Sequence, residues 1–415
     1  VTRLTGMLSM GVASGVAVAL TPSAWRLATH ADPHTLHLAL VAILFLLLTG
    51  WDEARRSGRA SADRWLVAAA VVFGLSVGNH SLTLLLALPV GLFVLSVEPR
   101  ILLRARFMAV CAIALLATVV AVYLELPLRS GPFEAPLVYA RPNTWDGFWY
   151  IALAEQFRGS IQDPLGQLPL KLGSLATLAA GQFGALAPLI PVGFLATAIR
   201  NWRYALLSGS AMVITLVFNA SYSNADIGRY YLGPILWAWT WLAILAGVFV
   251  EQLSGVPDAD ARPHRVRGGL ASLVAIAMAG VLLVPTAFDA PRRAEAADLS
   301  HDTGARQWVD AVLAEVAPDA VVVSWWSTST VLWYAQLIDH QRPDIAVIDD
   351  RTRLDLAYGE ATDVIARFLG QRPVYVIRAN ARDLGLVEAL FVLEPLESPV
   401  AAGVYRVIGA RGAGG

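Results

Sequence analysis

A stretch of about 20 mostly apolar residues is long enough to cross a bilayer, and this chain holds a succession of them. They run Thr5–Thr21, Thr35–Trp51, Trp65–His80, Leu82–Val97, Phe107–Leu126, Leu175–Ile199, Tyr204–Ser221, Tyr230–Leu253 and Gly268–Phe288. In hydrocarbon a backbone must satisfy its own N–H and C=O groups, so such stretches are expected to be helices packed side by side. The first, third and fourth are short and depend on their neighbours. Composition agrees, with 56% hydrophobic and 15% charged residues, against about 25% charged in a soluble domain. The expected fold class is therefore an all-α polytopic membrane protein of about nine transmembrane helices. The net charge of −1 gives no pull toward nucleic acid, and the lipid bilayer is the first partner. Cys111 is the single cysteine, which excludes disulfides and thiolate metal sites.

Orientation follows from the loops, because those on the cytoplasmic side are enriched in Lys and Arg. Arg55, Arg56, Arg59 and Arg64 follow the second segment, and Arg100, Arg104 and Arg106 the fourth. Arg200 and Arg203 follow the sixth, and Arg262, Arg265 and Arg267 the eighth. If every segment crosses once, all of these fall on one side. The alternate loops hold fewer cations, with Asp32, Glu134, Asp146, Glu155, Asp163 and Asp226 among them. A multi-pass protein of the plasma membrane is expected, with its N-terminus inside and residues 290–415 outside.

Residues 1–289 then form the membrane domain, with a long external loop at 127–172, and residues 290–408 a small C-terminal α/β domain. In that domain helices at Ala305–Val316, Val331–Ile338 and Ala361–Leu369 alternate with strands at Ala320–Val323, Ile345–Ile348 and Val374–Ile377. Such alternation indicates a largely parallel sheet. No Gly-rich phosphate loop interrupts it, so no nucleotide site is expected there. Gly409–Gly415 reads as a flexible tail. The chain opens with Val1 and enters an apolar segment almost at once, which leads to the expectation of a missing upstream piece.

Polar residues interrupt the apolar pattern mainly at the external ends. Between the first two segments lie Trp25, Arg26, His30, Asp32, Pro33, His34 and, just inside the helix, His37. An Asp-x-His pair can hold a divalent cation or relay a proton. Asp32 could equally cap the second helix with Pro33 at its first position, and the two readings are compatible. Gly78-Asn79-His80-Ser81 is either a tight turn or a site, since ionisable groups inside membranes are functional candidates. In the external loop, Trp145, Phe148, Trp149 and Ile151–Leu153 suit a helix lying in the interface plane. Arg141 and Arg158 there are candidate clamps for a lipid phosphate. The densest polar stretch runs from Asn219 to Tyr231, where Asp226 and Arg229 stand one helical turn apart and could pair. That pair reads either as a salt bridge closing a helix start or, with Tyr230, as part of a substrate site.

These motifs carry a family resemblance. W-x4-H-A-D-P-H-T-L-H from Trp25, G-x-x-x-G-N-H-S-L-T-L-L-L-A-L-P from Gly74, and Y-S-N-A-D-I-G-R-Y-Y-L-G-P from Tyr222 resemble a bacterial membrane family related to the eukaryotic transmembrane protein O-mannosyltransferases. The D-A-V-V-V-S-W-W, L-W-Y-A-Q and R-P-D-I-A-V-I-D stretches resemble its soluble tail. The resemblance covers nearly the whole chain and implies a glycosyltransferase of the GT-C class. Such enzymes are multi-spanning, work on the external face and use a polyprenyl-phosphate-linked sugar as donor. It also implies a protein or glycan acceptor. Two departures matter. Family members carry an essential-looking acidic residue in an earlier external loop, and more often have Glu where Asp32 stands and an aromatic where His34 stands. Either the catalytic base lies upstream of this chain, or the chain is a divergent, inactive member.

The leading expectation is sugar transfer, with Asp32 as the catalytic acid or base and His34 as its partner. Arg229 would hold the donor phosphate. Asn79, His80, Arg141, Arg158, Asp226 and Tyr230 complete the expected substrate-binding set. No metal ligand set is assigned, although a divalent cation could join Asp32. The rival readings are a transporter or lipid flippase, which would place its ionisable groups near the midplane on repeated broken helices, and an inactive scaffold.

Overall fold

The structure, a computed structural model, describes residues 1–223, 226–254, 269–378 and 380–412, the side chain of Gln156 excepted. Arg262, Arg265 and Arg267, the start of the ninth segment at Gly268, Asn224 and Ala225, and the last three tail residues lie outside the described residues. The chain forms two units. The first comprises Val1–Glu125 and Ala152–Asp298, the second Leu126–Ile151 and Leu299–Gly415. The long loop expected at 127–172 is thus divided between them.

The first unit is helical. Helices α1 (Leu8–Ala19) and α2 (Pro22–Ala28) form a pair bent by 64°. They are followed by α3 (His34–Arg56), α4 (Ala62–Asn79), α5 (Ala87–Val97) and α6 (Ala105–Tyr123). After the loop come α7 (Leu168–Phe183), α8 (Ile190–Arg200), α9 (Trp202–Ser221), α10 (Leu232–Leu253), α11 (Gly269–Ala287) and α12 (Ala290–Ala297). Among the described residues six spans are long and apolar enough to cross a membrane, or seven with the bent pair counted as one. The three that fall outside the six correspond to the first, third and fourth segments of the sequence. This is a multi-pass membrane protein.

Packing explains the order of these helices. On α3 the buried residues His34, His37, Val41, Leu44, Phe45, Leu48 and Trp51 recur every three or four positions, which gives the helix one inward face. The span containing α10 is 78% buried, whereas that containing α6 is 6% buried, so α10 is the axis of the bundle and α6 faces lipid. Gly74 and Gly78 let α4 and α6 touch, because a Cβ on Gly78 would lie 2.6 Å from Val122. The bend between α1 and α2 falls at Leu20–Thr21, where Pro22 cannot continue the first helix. Thr21 Oγ1 accepts the Ala24 N–H at 3.4 Å, Gln182 Oε1 accepts that of Ser23 at 3.2 Å, and the Arg293 guanidinium donates to the Leu20 and Thr286 carbonyls. Each helix end is thereby closed.

The second unit is built on a five-stranded sheet: β1 (Val321–Val323), β2 (Ala346–Ile348), β3 (Val374–Ile377), β4 (Phe391–Pro395) and β5 (Val404–Ala410), in the order β2-β1-β3-β5-β4. The first three strands pair in parallel, with Val322 opposite both Val347 and Tyr375. β5 and β4 add an antiparallel edge that the sequence pattern did not suggest, and β5 runs into the stretch read as tail. Helices Gly304–Glu315 and Ala361–Phe368 lie where helical periodicity puts them, and the helix expected from Val331 begins earlier, as Trp326–Leu337. The segment 126–151 belongs here. Ala140 donates its N–H to Asp355 at 2.9 Å, and the Arg351 guanidinium stacks on Tyr139 and Tyr150, 5.3 and 4.5 Å from the ring centroids.

Candidate functional site

Three pieces of the first unit meet where α3 begins: the α2–α3 connection, the end of α4 with the turn after it, and the short turn Ile227–Tyr231 that leads into α10. Asp32 Oδ1 accepts the backbone N–H of His34 at 2.8 Å and its ring Nδ1 at 2.6 Å. A carboxylate can only accept, so Nδ1 carries a proton and the neutral ring keeps its lone pair on Nε2. That Nε2 is buried and has no hydrogen-bond partner. The other oxygen, Oδ2, lies 3.4 Å from Arg229 Nη1. Burial pushes the Asp32 carboxyl up, but the hydrogen bonds from His34 and the charge of Arg229 outweigh it and hold it below its ordinary value. Pro33 stands just before the helix rather than at its first position. One carboxylate therefore both caps α3 and joins an ion pair.

A ring cluster surrounds His34. The His80 centroid is 4.6 Å away and that of Tyr230 5.2 Å, and His37 lies 5.6 Å from His80. His80 is also the turn residue that its setting suggested, since its Nδ1 accepts the Leu82 N–H at 3.1 Å. This leaves the ring proton on Nε2. Asn79 Nδ2 donates to the Pro33 carbonyl at 3.1 Å, which ties the end of α4 to the start of α3. Beneath the rings, His37 Nδ1 lies 3.3 Å from Thr83 Oγ1, itself 2.8 Å from Ser76 Oγ.

Arg229 and Asp226 pair as their spacing suggested, Nη2 to Oδ2 at 2.7 Å. Arg26 Nη2 reaches Asp226 Oδ1 at 2.8 Å. That hydrogen bond from Arg26, with the charges of both arginines, keeps the Asp226 carboxyl below its ordinary value against the burial that would raise it. Arg158 pairs with Glu155 at 3.1 Å and is largely exposed, while Arg141 is an exposed residue of the second unit. Of the nine expected site residues, seven come together within the first unit; Arg158 pairs with Glu155 instead, and Arg141 belongs to the second unit. Arg26, His37, Ser76 and Thr83 were not among the nine. Only His37, one turn along α3 from His34, was signalled by spacing. Among the described residues no group of three or more His, Cys, Asp or Glu side chains is arranged to hold a metal ion.

The whole chain is similar in structure to ArnT from Cupriavidus metallidurans, solved bound to undecaprenyl phosphate. The TM-score is 0.53 at 15% identity, over 97% of this chain and 82% of that one. The fold is thus ArnT-like, of the GT-C type. Residues 2–102 match the family model described as the protein O-mannosyl-transferase TMEM260 N-terminal domain, which this part of the chain resembles. Among curated proteins none matches the chain by sequence.

Proposed function

We propose that the chain is an integral-membrane glycosyltransferase that moves a sugar from a polyprenyl-phosphate donor to an acceptor outside the cytoplasm, in the manner of protein O-mannosylation. The observation that carries this reading is the convergence of Asp32, His34, His80, Asp226, Arg229 and Tyr230 from separate segments at one end of an ArnT-like bundle. The undecaprenyl phosphate bound to ArnT supports a lipid of that class as ligand.

In such a transfer an acceptor hydroxyl attacks the anomeric carbon. The bond from that carbon to the phosphate oxygen breaks with its electrons going to phosphate, and the hydroxyl proton goes to a base. Both Asp32 oxygens are engaged, whereas His34 Nε2 has an open lone pair. His34 is therefore the better candidate for the atom that takes the proton, and Asp32 orients its ring. This reverses the roles expected from the sequence. Arg229 would steady the departing phosphate, His80 and Tyr230 would line the sugar pocket, and Asn79 fixes the helix start that presents Asp32. Arg141 and Arg158 are outer contacts for lipid phosphates, and the second unit would recognise the acceptor, protein or glycan. We place the site and the second unit on the external face of the plasma membrane, because arginines gather at the opposite ends of the helices.

The reading is tested by reconstituting the full chain in liposomes with radiolabelled polyprenyl-phosphate mannose and a Ser/Thr-rich acceptor peptide. Label should move to the peptide as polyprenyl phosphate is released. A chain that leaves the donor intact while binding neither substrate would sink the proposal.

A further inference from the structure

Asp226 is gripped from two sides, with one carboxylate oxygen to each guanidinium: Oδ1 to Arg26 at 2.8 Å and Oδ2 to Arg229 at 2.7 Å. The two arginines come from distant parts of the chain. Arg26 stands in the last turn of α2, and Arg229 on the turn before α10. Two guanidiniums so placed suit an anion with two equivalent oxygens. A phosphate presents the same face with more charge and a further acceptor.

We propose that Arg26 and Arg229 together form the binding site for the donor phosphate, and that Asp226 is an internal anion that occupies it while the lipid is absent. The inference rests on the polyprenyl-phosphate reading above and assigns Arg26, which that reading leaves without a role. Three features argue for it. The Arg26 side chain is 54% exposed, and exposed ion pairs contribute little net stability, so Asp226 is readily exchanged for a stronger ligand. Two cations (Arg26, Arg229) face two carboxylates (Asp32, Asp226), so a phosphate that replaces Asp226 stays compensated, whereas one added beside it does not. And α2 is a fixed platform, held at its start by Thr21 and Gln182.

The arrangement also favours the reaction. The donor phosphodiester carries one negative charge, while the phosphate monoester that leaves carries about 1.5 to 2 at neutral pH. A pair of guanidiniums therefore binds the departing group more strongly than the donor, which is the differential binding that lowers a barrier.

The test measures binding to the full-length chain in nanodiscs, with undecaprenyl phosphate, uncharged undecaprenol and inorganic phosphate as probes. Arg26→Gln should weaken undecaprenyl phosphate about tenfold or more, the scale of one charge-assisted hydrogen bond, and leave undecaprenol unchanged. Asp226→Asn should tighten it several-fold. Arg26→Lys, which keeps the charge but loses the planar fork, should fall between and serves where the Gln variant does not fold. Unchanged affinity in the Arg26 variants, or weaker binding by Asp226→Asn, overturns the inference while leaving the transferase reading in place. A wild-type chain that binds no undecaprenyl phosphate overturns that reading instead. Binding of inorganic phosphate in preference to the lipid assigns the arginine pair to a free phosphate and overturns its role toward the donor.

Discussion

At the end of the bundle where α3 finishes, arginines and carboxylates pair off. Asp52 meets Arg56 at 2.7 Å and Arg203 at 3.5 Å, Glu53 meets Arg3 and Arg59, and Glu98 meets Arg55 at 2.6 Å. Asp63 meets Arg104, and Glu251 meets Arg200. At the end where α3 begins, Arg26, Asp226, Arg229 and Asp32 are linked in a row, but here three histidine rings and Tyr230 crowd against them and His34 Nε2 is left without a partner. The first arrangement satisfies its charges and holds loops together. The second keeps an unsatisfied acceptor and displaceable pairs in a half-buried place, at a cost in stability that a purely structural cluster would not carry.

The comparison is broken most easily at Arg229. Arg229→Ala should lower the transfer rate about a hundredfold to a thousandfold, the scale for removing one donor from a developing anion, with the protein still folded in membranes. Full activity in that variant would remove the distinction between the two ends. The opposite pattern is expected at Arg203, which also donates to the Ser96 carbonyl at 3.0 Å. Arg203→Ala should destabilise the fold by about 2 kcal/mol, read as a lower unfolding temperature in detergent, with transfer per folded molecule unchanged. A drop in transfer with no change in unfolding would give the arginine end a functional role.

The smallest effect concerns acid. The Asp32 and Asp226 carboxyls are held below their ordinary values, and so is that of Asp63 at the other end, through its hydrogen bond from Arg104. A depressed carboxyl contributes stability that is present above its unfolded pKa, about 3.9, and is lost as pH falls through the folded value. Unfolding temperatures should therefore decline below about pH 4. Asp32→Asn and Asp63→Asn should each flatten that decline, Asp32→Asn the more because its side chain is less exposed, 11% against 38%. Equal slopes in all three proteins would mean that these pairs add nothing to folding.

Local patterns carried most of the architecture into view. The spans follow from apolar length, and β1, β2 and β3 from short valine- and isoleucine-rich runs between helices. The β4–β5 edge did not, because its strands are only partly apolar, Pro395 closes one of them and glycine interrupts the other, and their register shifts at Val392/Leu393. The site divides in the same way. Asp32 with His34 and Asp226 with Arg229 are neighbours in sequence, so their pairing is legible from spacing. The grip of Arg26 on Asp226 and the stacking of His34, His80 and Tyr230 depend on how α2, α4 and α10 pack, which no local pattern encodes. Asn79, a polar residue at a membrane edge that the sequence offers as either turn or site, also ties two helix ends together, a contact that spacing does not reveal.

The account rests on the Asp32–His34 pair as the proton-handling centre of a sugar transferase. Its most direct test is the turnover of labelled polyprenyl-phosphate mannose by His34→Gln, normalised to folded protein and set beside wild type. Loss of about a hundredfold or more in turnover, the scale of general-base catalysis, with the unfolding temperature little changed, is the predicted result. Wild-type turnover in the variant would contradict the account, since the unpartnered nitrogen would then take no part in the reaction.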